Sequence, residues 1–129
     1  MSSNVEPSLL LRDAVLMACC ATAVRVIEQG RLQILMMPKD WVGCHILDAA
    51  TESLDPNDDW SFRRLLELLA MVCPGLIAAV VKDGLASLNP EIREAAVDFS
   101  SPETIERVGR TFTQSLAERN PELRMHLQI

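Results

Sequence analysis

A chain of 129 residues with 18 acids against 12 Lys and Arg and a net charge of −6 is a poor partner for nucleic acid or an anionic membrane surface. Such binding rests on Lys and Arg displacing counterions from phosphates, and no basic run is present. Hydrophobic residues at 49% and charged residues at 23% exclude intrinsic disorder, and an aromatic content of 4% with no Tyr favours helices over strands.

The expectation is one all-α domain over residues 1–129, a compact bundle of about six helices whose starts and stops are written in caps, prolines and glycines. The first helix follows Pro7 with Ser8 as N-cap and runs to Gly30, which suits a C′ position. Leu10, Ala14, Met17, Ala18, Ala21 and Val24 cover nearly its whole circumference, which predicts a place at the centre of the bundle. The uncharged run from Ala14 to Val24 falls short of the roughly 20 apolar residues that a membrane-spanning helix needs. Ile34-Leu35-Met36-Met37 is too short an apolar run to separate a buried extended segment from a helical turn, and Pro38 ends it.

Asp40 caps a second predicted helix from Trp41 to about Ser53, and Asp55-Pro56-Asn57 reads as a turn. Asp58 or Asp59 then caps a third helix, in which Phe62, Leu65, Leu66, Leu69 and Val72 form an apolar stripe. Pro74 separates it from a fourth helix, with Leu76, Ile77, Val80 and Val81 facing inward and Gly84 as its stop. Asn89-Pro90-Glu91 and Ser101-Pro102-Glu103 open the fifth and sixth helices with one device: N-cap, N1 proline, and an acid favoured by the helix dipole. Asn120-Pro121-Glu122 repeats it near the C-terminus. The fifth helix buries Ile92, Ala95, Ala96 and Phe99, and the sixth Ile105, Val108, Phe112 and Leu116.

Chemistry-bearing constellations are sparse, and no catalytic residue, metal site or cofactor is assigned. Asp55, Asn57 and Asp59 match the first ligand positions of a calcium loop, but Trp60 stands where the sharp turn needs Gly and Leu66 where a bidentate Glu is required. His45, with Cys44, Asp48 and Glu52 on nearby turns, lacks a second histidine or Cys-x-x-Cys partner. Cys19, Cys20, Cys44 and Cys73 read as buried free thiols of a reducing cytosol, because a domain with this apolar content needs no staple. Trp60 with Arg63 and Arg64, flanked by Asp58 and Asp59, is the candidate protein-binding surface, since Trp and Arg anchor interfaces. Against that stands a plainer role in which Trp60 closes the core and the arginines pair with Asp59 or Glu67.

Leu88-Asn89-Pro90-Glu91-Ile92-Arg93-Glu94-Ala95-Ala96 resembles the start of the second helix of a HEAT-type repeat, and Pro74 to Leu85 would be its first helix. Residues 58–73 would form the end of a poorer copy, and residues 58–99 are similar to small bacterial helical proteins. The resemblance implies antiparallel helix pairs and a binding surface rather than an activity, although Asn89 stands where the turn of such repeats usually carries Asp. The expected function is accordingly that of a non-enzymatic, cytosolic bacterial adaptor or regulator that binds a protein partner. An immunity protein that neutralises a basic toxin is the alternative, followed by an enzyme built from dispersed carboxylates and His45. A homodimer is also expected, through the first helix and Ile34, Leu35, Met36 and Met37, because exposed apolar surface of that extent is usually covered.

Overall fold

A computed structural model describes residues 6–127, and among these residues the chain is all-helical. Its elements in chain order are α1 (Pro7–Cys20), α2 (Val24–Leu35), α3 (Lys39–Ser53), α4 (Asp59–Val72), a 3-10 turn (Pro74–Leu76), α5 (Ile77–Leu85), α6 (Pro90–Asp98), α7 (Pro102–Arg119) and α8 (Pro121–Leu127). Eight α-helices therefore stand where about six were expected.

The largest departure is the predicted first helix, which is two helices. Ala21 and Ala23 take extended backbone, with ψ of 153° and 127°, and α2 turns back along α1. Gly30 lies within α2, where it permits a close helix crossing. A Cβ at this position would stand 2.6 Å from the Ala14 carbonyl oxygen and 2.7 Å from the Ala18 nitrogen. No break is written at residues 21–23, and the packing of α2 on α1 outweighs the helical propensity of the two alanines.

The centre of the bundle is α4, which packs against α1, α2, α3, α5, α6 and α7. Its sequence is apolar nearly all round, and Leu65 to Ala70 are all buried, Glu67 among them. The helix α1 is also apolar on both faces, but only one is covered: Leu11, Ala14, Val15, Ala18 and Cys19 are buried, whereas Leu9, Leu10 and Leu16 are exposed. Gly109 of α7 meets the Ala70 backbone, which is where the long C-terminal helix seats on α4.

The cap device is present at Asn89 and Ser101, whereas Asn120, which precedes α8, donates from Nδ2 to the Leu116 carbonyl at 2.8 Å. The side chain of Asn89 accepts from Glu91 N–H, that of Ser101 from Thr104 N–H and that of Asp58 from Trp60 N–H. Ser8 and Asp40 do not cap, because α1 starts one residue earlier, at Pro7, and α3 at Lys39, leaving both side chains inside the first turn. Gly84 is likewise interior to α5 rather than its stop.

Two loops are tied together across the bundle surface. Asp55 Oδ1 accepts from Asn57 N–H at 2.9 Å, and the Asn57 carbonyl accepts from Asn89 Nδ2 at 3.1 Å. Asn89 N–H donates to Ser87 Oγ at 3.1 Å, and the Arg93 guanidinium donates to the Ser87 carbonyl at 2.7 Å. The α3–α4 and α5–α6 connections are thereby joined through the Asn89–Asn57 bond.

Candidate protein-interaction surface

The N-terminal turns of α4 begin at Asp58, whose carboxylate accepts from Trp60 N–H at 3.2 Å and from the Ser61 hydroxyl at 2.8 Å. These two hydrogen bonds fix the entry of the helix, and the side chain of Trp60 is turned outward, 43% exposed. Arg64 follows one turn later, so its guanidinium reaches back over the indole, with Cζ 4.5 Å from the ring centroid.

Arg64 is itself held from below. Its Nη1 donates to Glu67 Oε1, and the same oxygen accepts from Arg31 Nη2 of α2 at 2.8 Å. Arg31 then lies over the Phe112 ring of α7, 4.9 Å from its centroid. A chain of contacts therefore runs from exposed Trp60 through Arg64 to the buried Glu67–Arg31 pair and on to half-buried Phe112. Glu67 and Arg31 are only 8% and 9% exposed, so the carboxylate works in a poorly hydrated setting and two positive charges share one negative. Among the described residues, Nε of Arg31 and Nε of Arg64 are buried without a hydrogen-bond partner.

The surrounding thiol reports the same environment. Burial pushes Cys19 up to about 12; the adjacent Cys20 and the Glu67 carboxylate add to the rise, while Arg31 and Arg64 act against it. Burial also lowers Arg31 from its ordinary value, with Glu67 opposing that shift. All four cysteines are free, but they are not uniformly buried as expected: Cys73 is half-buried, and Cys44 and Cys20 are exposed, the latter at the last position of α1 with its Sγ 3.5 Å from Ser61 Oγ.

The remaining candidates are dispersed. Arg63 pairs with Asp98 of α6 at 3.0 Å rather than with Asp59, which is exposed in the first turn of α4. Ile34 is 1% exposed within the core, Leu35 and Met37 pack against that core, and Met36 alone of the four presents a substantially exposed side chain. The four residues expected to supply a dimer face thus span the end of α2 and the two positions after it, and Leu35 also packs against Leu116, Ala117 and Leu123. Asp55 is engaged in its turn, bonded to Asn57 N–H. His45 stacks on Trp41 at 4.6 Å and donates from Nδ1 to the Trp41 carbonyl at 2.8 Å, while Cys44 beside it faces solvent. Among the described residues no three His, Cys, Asp or Glu side chains converge as metal ligands.

Sequence reasoning missed Arg31, which lies in the stretch where periodicity was least readable. A lone arginine inside an apolar helix face was the available signal. Comparison with protein-family models, curated proteins and solved structures finds no match to this chain.

Proposed function

We propose that this chain is a helical protein-binding module, an adaptor or regulator of the non-enzymatic kind, whose contact surface is centred on Trp60. The observation that carries the reading is the exposed indole clamped beneath Arg64, itself anchored through Glu67 to the interior. An aromatic anchor held in one rotamer loses little entropy on binding, and Trp and Arg are the side chains that most often dominate interface energies. The packing of α5 on α6, with both helices against α4, supports a helix pair of the HEAT type as the scaffold. Four free thiols support residence in a reducing compartment.

The test is affinity capture from native lysate with wild type, Trp60→Ala and Leu88→Ala, the last removing a side chain that is 95% exposed. Specific partners retained by wild type and Leu88→Ala but lost from Trp60→Ala, with circular dichroism unchanged in all three, are expected. Identical partner sets from wild type and Trp60→Ala would refute the reading.

A further inference from the structure

A second feature lies about 100° round α4 from Trp60 and Arg64, on the side carrying Ser61 and Leu65. Here a cleft of about 460 Å³ opens between the end of α3, the α3–α4 loop, α5 and the start of α6. Its floor is apolar, formed by Leu47, Leu54, Phe62, Leu65 and Val80. The Phe62 ring occupies that floor because Gly84 has no side chain, a Cβ there standing 2.5 Å from Phe62 Cζ and 3.0 Å from Ala96 Cβ. One edge is closed by the bonded loops, in which Asn57 and Ser87 are joined through Asn89. The depression is thus bounded and pre-formed, and its volume falls in the range of roughly 300–1,000 Å³ typical of small-molecule sites.

Charge selects the occupant. The charged side chains that line the cleft are Asp55 and Asp83; Lys82 lines a separate depression, and the Arg93 guanidinium lies at the edge, bonded to the Ser87 carbonyl. Among the described residues neither carboxylate enters an ion pair, whereas other acids of the surface, such as Glu52, Glu106 and Asp98, do. Within the lining an anionic ligand would meet carboxylates and no cation, and a neutral apolar one would leave the two carboxylates unused.

We infer that this cleft binds a small amphiphilic amine, its hydrocarbon body on Phe62, Leu65 and Val80 and its ammonium group at Asp55 and Asp83. The site is separate from the Trp60 surface, and the inference does not rest on the protein-binding reading.

Octylamine, octanol and octanoate share a chain and differ in head-group charge, so titrating each into the ¹⁵N-labelled protein at neutral pH separates the apolar and ionic contributions. Octylamine is expected to saturate, shifting amide resonances of the residues that line the cleft. It should bind about fivefold more tightly than octanol, the upper end of what a solvent-screened ion pair supplies, with octanoate the weakest. In the double variant Asp55→Asn/Asp83→Asn the octylamine and octanol affinities should become equal. Asn at position 55 still accepts from Asn57 N–H, so the turn is retained. Trp60→Ala should leave octylamine binding unchanged, so failure of the interface reading and failure of this one are distinguishable. The proposal is overturned by an absence of saturable octylamine binding, by shifts centred outside the cleft, by octanoate binding as tightly as octylamine, or by an octylamine preference that survives in the double variant.

Discussion

Replacing Glu67 by Leu removes the one carboxylate that two guanidiniums share. Glu67 Oε1 accepts from Arg31 and from Arg64, and with Glu67 8% and Arg31 9% exposed, water cannot take over that role. Breaking a buried ionic group by deleting one partner costs about 3–5 kcal/mol, because the charge left behind is neither solvated nor paired. A chain of 129 residues is stable by roughly 6–19 kcal/mol at about 0.05–0.15 kcal/mol per residue, so the loss is a large fraction of the whole. With an unfolding entropy near 2.1 cal/mol/K per residue, the midpoint should fall by about 11–18 °C. The triple variant Arg31→Met/Arg64→Met/Glu67→Leu keeps similar volumes and strands no charge, so it should recover most of the loss. Urea unfolding followed by circular dichroism measures all three proteins. A Glu67→Leu cost below about 1 kcal/mol, or a triple variant less stable than Glu67→Leu alone, refutes the argument that the carboxylate is held as the counter-ion of buried Arg31 and half-buried Arg64.

Gly30→Ala should destabilise the fold by about 1–3 kcal/mol even though Ala is the better helix former by about 1 kcal/mol, since the new methyl meets the α1 backbone at 2.6 Å. Gly75→Ala, where no atom lies within 4 Å, is the control in the same urea series and should be near neutral. For the thiols, Cys20 and Cys44 are expected to react quickly with a disulfide reagent at pH 8, and Cys19 only on unfolding. The pKa of Cys19 is raised from 9.0 to about 12 in the fold, so its contribution to stability is full below pH 9 and declines as pH rises from there towards 12. A Cys19→Ala variant should lose that part of the alkaline slope in unfolding titrations, and an unaltered slope would refute the assignment.

The sequence by itself determined the all-helical class and the starts of α4, α6 and α7, because those rest on local chemistry. Asn89-Pro90-Glu91 and Ser101-Pro102-Glu103 satisfy orphan backbone N–H groups within a few residues of themselves, whatever the rest of the chain does. The 3.6 spacing of Phe62, Leu65, Leu66, Leu69 and Val72 marked α4 as strongly apolar on the same local grounds. Trp60 and Arg64 could be named as a pair because residues four apart share a helix face.

Tertiary structure decided the rest. Gly30 and Gly84 have the local signature of helix stops, yet each serves as a place where another element comes close, an event whose partners lie more than ten residues away in the chain. The break at residues 21–23 follows from the same cause: α2 gains more by lying on Ala14 and Ala18 than α1 gains by continuing. That turn places Arg31 beside Glu67, 36 positions distant, and so creates the buried support of the Trp60 surface. The cleft likewise depends on residues 47 to 92 meeting across four helices. Periodicity records which face of a helix is apolar; which helix covers that face is set by shape and by the pairing of buried charge, and both belong to the assembled bundle.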